Sequence, residues 1–159
     1  MARNKKPIKR YDKPKYLIAH CDNLESAIIC DLDGTLAWLN GRSPFSYHQC
    51  DTDLLNESVF RILEKFWDTH KIFIITGRSS TCRPETEKWL KQHGVKYEKL
   101  YMKPAGQERR PDVETKKEIF EQHLRNRFNV DFALDDRDRV VRMWRALGIT
   151  CLQVADGNF

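Results

Sequence analysis

Asp31 and Asp33, two residues apart and followed by Gly34-Thr35, are the pair in this chain best suited to do chemistry. A carboxylate at the end of a strand can attack phosphorus and form an acyl phosphate. A second carboxylate two residues on can protonate the leaving oxygen and then activate water. Gly34 lets the chain turn sharply beside a substrate. Two more polar clusters follow, Thr76-Gly77-Arg78 and Asp135-Asp136. Phosphoryl transfer needs mainly positioning and neutralisation of charge on the equatorial oxygens, for which Thr76 and a nearby lysine are natural donors. Asp31, Asp33, Asp135 and Asp136 in one crevice would repel one another without a cation, and hard oxygen ligands of this kind suit Mg²⁺. Asp136 could also cap a helix, but a cap requires neither Asp135 nor the other clusters.

The elements around these clusters are those that would bring them together. Short apolar runs at 26–30, 72–75 and 132–134 each lead into one cluster, with weaker candidates at 97–102 and 149–154. Such runs read as strands buried on both faces of a parallel sheet. Between them, Val59, Ile62, Leu63, Phe66 and Trp67 recur at helical spacing behind a possible cap, Asn56. Pro84 and Gly94 bracket a second helix, a third is predicted over 111–127, and a fourth follows Asp136 and ends at Gly148. Alternating strands and helices predict an α/β fold with a doubly wound, mainly parallel sheet. Ligands of such sheets bind beyond the carboxyl ends of the strands, where all three clusters fall. Only residues 42–53 form a cap-like insertion after the first cluster, and a minimal cap leaves the site open.

The bulk of the chain sets limits on function. Net charge is +5, but residues 1–16 carry seven basic side chains and one acid, and the remaining 143 residues sum to −1. The reading is therefore a basic tail over 1–20 and one domain over 21–159. The tail could neutralise nucleic-acid phosphates or merely solubilise the chain. Five scattered cysteines without a Cys-x-x-Cys pair argue against a disulfide framework or structural zinc and suit a reducing cytoplasm. Nothing reads as a signal peptide or a membrane span. A GxxxxGK[ST] phosphate loop is absent, so ATP-dependent phosphorylation by that device is not expected.

The clusters also resemble a known family. Asp31-Leu32-Asp33-Gly34-Thr35 is similar to the first motif, DxDGT, of the haloacid dehalogenase superfamily phosphatases, with Thr76, Lys116 or Lys117, and Asp135-Asp136 at the second, third and fourth. Asn40-Gly41-Arg42-Ser43-Pro44-Phe45, Cys50-Asp51-Thr52-Asp53, Thr76-Gly77-Arg78, Asp112 with Lys116, and Asp135-Asp136-Arg137 resemble the 3′-phosphatase domain of phage-type polynucleotide kinase–phosphatase. So do Val140-Val141, Met143-Trp144-Arg145 and Gln153-Val154-Ala155, and the likeness covers about residues 26–159. The resemblance implies a Rossmann-like haloacid dehalogenase fold and Mg²⁺-dependent removal of 3′-phosphates from DNA or RNA ends.

By the same resemblance Asp31 is the nucleophile and Asp33 the general acid–base. Asp31, the Asp33 main chain and Asp136 would hold Mg²⁺, with Asp135 supporting its water shell. Arg42 and Arg78 match functional arginines, Lys116 would contact the phosphoryl oxygens, and Asp112 would orient Lys116 from one helical turn earlier. Lys117 is the fallback for Lys116. Trp38 could stack on a base or pack. The family pattern leads one to expect arginine where Lys103 stands. Nucleic acid with 3′-phosphate ends is the expected partner, with a possible separate kinase or ligase. A phosphatase of small nucleotides and a non-catalytic end-binding module are the alternatives, and the latter needs no Asp31–Asp33 pair.

Overall fold

Alternate residues of each central strand enter two separate hydrophobic cores, one on either face of a single sheet. The computed structural model describes residues 18–43 and 45–158, so the basic tail lies outside the described residues except for its last three. Within them the strands are β1 (Ser26–Cys30), β2 (Ala37–Trp38), β3 (Leu54–Leu55), β4 (Lys71–Ser79), β5 (Lys99–Lys103), β6 (Asn129–Asp135) and β7 (Cys151–Gln153). The helices are α1 (Glu57–Phe66), α2 (Arg83–Gln92), α3 (Asp112–His123) and α4 (Asp138–Ala146). No helix among the described residues is long and apolar enough to cross a membrane.

Five strands pair in parallel in the order β5-β4-β1-β6-β7. Ile28, Cys30, Ile72, Ile74 and Leu134 face one core with Val59 and Leu63 of α1 and Trp89 and Leu90 of α2. Ala27, Ile29, Phe73, Ile75 and Ala133 face the other with Phe120 of α3 and Val140, Val141 and Trp144 of α4. Side chains of a strand alternate between faces, so a sheet covered on both sides requires unbroken apolar runs. The sheet is doubly wound as expected. The chain leaves β1 toward β4 and β5, then returns to its other side with β6, which makes the β1–β6 boundary the switch point where a ligand crevice opens.

Local chemistry explains most element ends. The Asn56 side chain accepts from Val59 N–H at the start of α1 and donates to the Thr35 carbonyl at 2.8 Å, tying the helix to the turn after β1. Pro84 stands in the first turn of α2. Three expectations need correction. The third helix stops at His123 rather than 127, because Asn126 turns left-handed (φ 58°) and reverses the chain toward β6. Ile62, part of the apolar stripe with Val59 and Leu63, is 37% exposed rather than buried with them. The outer strands are shorter than their apolar runs, Lys99–Lys103 and Cys151–Gln153.

A feature the sequence did not announce is a small antiparallel ribbon. β2 and β3 pair Ala37 with Leu55 and Trp38 with Leu54, and a 3₁₀ turn at Tyr47–Thr52 lies between them. Two-residue strands are too short to show alternation. The ribbon and its turn form the minimal cap.

Candidate active site

The carboxyl ends of β1, β4 and β6 deliver the three clusters to one cavity of about 480 Å³. Asp31 follows β1 directly, its N–H bonded to the Leu134 carbonyl of β6 at 3.0 Å. The chain then folds back, with Ala37 N–H on Leu32 O at 2.8 Å and Gly34 at φ +81°. A Cβ at Gly34 would collide with the Asp136 carboxylate. Gly34 is therefore required by both backbone conformation and space. Thr35 donates to Asp31 Oδ2 at 3.3 Å.

Lys116, on the inner face of α3, lies at the centre. Its Nζ donates to Asp31 Oδ1 at 2.7 Å and to Asp135 Oδ2 at 2.8 Å, and all three side chains are buried. Lys117 is exposed, so of the two lysines it is Lys116 that enters the cavity. Trp144 Nε1 of α4 donates to the same Asp135 oxygen at 3.3 Å. Burial raises the Asp31 carboxyl to about 8, with Asp135 and Asp136 pushing in the same direction and Lys116 opposing. Burial also raises Asp136, again helped by Asp135. Burial alone would depress Lys116, but the Asp135 and Asp31 carboxylates outweigh it and hold the ammonium charged.

Oxygens of Asp31, Asp135 and Asp136 lie within 4.8 Å of one another. Three buried carboxylates around one ammonium leave an excess of negative charge, which adds to burial in driving Asp31 and Asp136 toward their neutral forms. A hard dication fits such a donor set.

Asp33 points the other way, into a clamp of arginines. Arg78 is completely buried and grips it twice, Nε to Oδ2 at 2.9 Å and Nη2 to Oδ1 at 2.7 Å. Arg42 reaches Asp33 Oδ1 at 3.2 Å. Behind them Asp53 accepts from Arg42 Nε at 2.7 Å, Arg42 Nη2 at 2.6 Å and Arg78 Nη2 at 2.7 Å. Trp89 Nε1 fixes the Asp53 carbonyl at 2.7 Å. The structure thus brings Arg42 and Arg78 together around the Asp33 carboxylate.

Two site residues sit differently from expectation. Asp112 lines the cavity but does not give its oxygens to Lys116. Oδ1 accepts from Lys103 at 2.6 Å and Oδ2 from Arg137. The lysine arrives from β5 at a point the helical spacing of Asp112 and Lys116 cannot reveal. Thr76 is fully buried, and its hydroxyl accepts from the Arg78 N–H at 3.2 Å. The cavity wall beside it is Gly77, where a Cβ would meet the Asp112 carboxylate at 2.6 Å. Sequence reasoning passed over Asp53 and Arg137 as site residues. For Asp53 a clue existed, since two buried guanidinium groups need more than one carboxylate. The mouth of the cavity is apolar on the cap side, where Trp38 is 49% and Phe45 83% exposed. Trp38 is therefore at the rim and not packed in the core.

Residues 25–159 match the family model of the polynucleotide kinase PNKP phosphatase domain. A protein of Autographa californica nuclear polyhedrosis virus, described as a bifunctional polynucleotide kinase/RNA ligase, is 31% identical over 139 residues, 85% of this chain and 20% of the viral one. A chain of the Pnkp1/Rnl/Hen1 RNA repair complex superposes with a TM-score of 0.86 at 38% identity, covering 91% of this chain and 47% of that one. This chain therefore spans less than half the length of either relative. A haloacid dehalogenase-like hydrolase from Streptococcus pneumoniae, 14% identical, shares the fold with a TM-score of 0.57 over 82% of this chain and 84% of its own.

Proposed function

The chain belongs to the polynucleotide kinase phosphatase-domain family, of haloacid dehalogenase type, and from that premise we propose that it removes 3′-phosphates from DNA or RNA ends through an aspartyl-phosphate on Asp31. The observation that carries this reading is the buried Asp31–Lys116–Asp135 chain at the base of the cavity. Binding alone needs no nucleophile held by a buried lysine.

In the first half-reaction an Asp31 oxygen bonds to phosphorus, the bond from phosphorus to the 3′ oxygen breaks, and Asp33 gives that oxygen a proton. In the second, Asp33 takes a proton from water, whose oxygen attacks phosphorus and releases phosphate and Asp31. Lys116 faces the nucleophile throughout and neutralises charge on the phosphoryl oxygens. Arg78 and Arg42 orient Asp33, and Asp53 holds both arginines. Asp112, held by buried Lys103, positions Arg137 at the cavity rather than bonding to Lys116.

The residues fit Mg²⁺, which Asp31, the Asp33 main chain and Asp136 would hold, with Asp135 supporting its waters, to neutralise phosphoryl charge. Asp33 suits the main-chain role, because its carboxylate is taken up by the arginines. Four buried cysteines and one exposed cysteine, all free thiols, suit the reducing cytoplasm where we place the reaction. A kinase or ligase would act beside it in end repair, as the names of both relatives suggest.

The test is phosphate release from a 3′-phosphorylated oligonucleotide, its 5′-phosphorylated isomer and a 3′-mononucleotide, with Mg²⁺ and with EDTA. Metal-dependent release from the oligonucleotide 3′ end, absent in Asp31→Asn and crippled in Asp33→Asn, is the expected result. Release from the mononucleotide alone would move the enzyme to small nucleotides. Near-normal turnover by either variant would overturn the mechanism.

A further inference from the structure

A second cavity, about 410 Å³, opens beside the catalytic one and shares Asp112 and Arg137 with it. Its other walls are Pro111, Val113 and Glu114 at the start of α3 and Arg139 and Arg142 of α4. We propose that this cleft is the track followed by the nucleic-acid strand behind its terminal phosphate, with Arg139 and Arg142 holding backbone phosphates. The inference rests on the polynucleotide reading above and adds the direction in which the polymer leaves the site.

Two observations and one chemical match converge on it. Arg139 and Arg142 are three residues apart on one helix, which places them on one side at about 5–6 Å, and both face outward. Guanidinium forks match phosphate oxygens and need no particular base. Neither arginine lines the catalytic cavity, so the chemistry leaves them unused.

The acids of the cleft have basic partners already. Asp112 accepts from Lys103 and Arg137, and Glu114 lies 3.6 Å from Arg110. Asp138 is 3.5 Å from Arg142, whose side chain is 75% exposed. An exposed pair of that kind is weak and gives way to a phosphate. The cap side of the catalytic cavity carries Trp38, Leu39 and Phe45, none of which lines the cleft, and this apolar surface suits a base and not a chain of phosphates. A polynucleotide end has both parts, and the two walls divide them.

The experiment compares wild type with Arg139→Ala/Arg142→Ala. It measures turnover of a 3′-phosphorylated decanucleotide and of a 3′-mononucleotide, and anisotropy of a labelled decanucleotide with a 3′-hydroxyl. The double variant should bind and turn over the decanucleotide roughly tenfold less well and lose about two from the slope of log affinity against log salt, one for each phosphate contact. Mononucleotide turnover should be unchanged. Unaltered decanucleotide binding and salt slope would overturn the proposal, as would an equal loss on the mononucleotide. If wild type releases no phosphate from any 3′ end, the phosphatase reading fails, while the anisotropy comparison still decides the cleft.

Discussion

Arg78 and Asp33 are joined by two near-parallel hydrogen bonds of 2.9 and 2.7 Å, and the guanidinium that makes them is wholly buried between the cap and β4. The pair fixes the plane of the carboxylate to which we assign proton exchange with the substrate. A lysine keeps the charge but has no fork. Arg78→Lys should therefore fold and bind substrate but turn it over about a hundredfold more slowly, the scale of a misplacement near 1 Å. Arg78→Ala should also unfold more readily, by about 3–5 kcal/mol, because Asp33 loses two of its three arginine hydrogen bonds and buried Asp53 one of its three. Steady-state kinetics beside chemical denaturation separate the two effects, and equal kcat in Arg78→Lys and wild type would refute the orienting role.

Asp31 sets a dependence on pH. Its carboxyl stands at about 8 in the fold against 3.8 ordinarily, because of burial first and the neighbouring Asp135 and Asp136 next. The folded chain without metal thus keeps a proton that the unfolded chain has lost, and its stability falls as pH rises between those values. A bound dication demands the ionised form, so the rise in Tm on adding Mg²⁺ should grow over the same window. Thermal melts with Mg²⁺ or EDTA across that range check both slopes. Asp31→Asn should flatten them, and a Mg²⁺ effect independent of pH would show that Asp31 is not the coupled group.

Gly34→Ala tests the turn that carries the first cluster. The residue must adopt φ +81° and its new methyl would enter the Asp136 carboxylate. The conformational cost alone is about 1–3 kcal/mol. The variant should melt lower, lose activity and respond weakly to Mg²⁺, since Asp136 is displaced. A full Mg²⁺ shift in a destabilised but folded variant would show that Asp136 does not serve the metal.

Trp38, half exposed at the mouth, has little packing to lose. Trp38→Ala should change stability by less than about 0.5 kcal/mol. If it stacks on the terminal base, kcat/KM for 3′-nucleotides should fall by the equivalent of about 1–3 kcal/mol, with none lost on glycerol phosphate. Equal losses on both substrates would remove the stacking role.

How much of this was legible in the sequence depends on the range of the interaction. The first cluster, the sheet and its four helices are written in local patterns: unbroken apolar runs at 26–30 and 72–75, and stripes such as Val140, Val141 and Trp144. Convergence of Asp31, Gly77 and Asp135 on one cavity follows from topology, because the carboxyl ends of parallel strands face the same edge. The partners of Asp112 and Asp53 do not follow. A helical spacing of four points Asp112 at Lys116, yet Lys103 from β5 and Arg137 from the start of α4 claim its carboxylate. Asp53 joins Arg42 across the cap and Arg78 from β4, a contact spanning 25 residues of chain. The cap ribbon was invisible because two residues per strand carry no period.

The shared grip on Asp53 has a bearing on how the enzyme would cycle. Arg42 and Asp53 belong to the cap and Arg78 to the central sheet, and all three are buried and interlocked. A lid hinged at this point would have to break charge-assisted hydrogen bonds on every turnover. The cap is better described as a fixed doorway, through which a strand end threads and backs out. Product departure is then ungated, and a rapid-quench time course should rise linearly from the first turnover, without an initial burst of released phosphate.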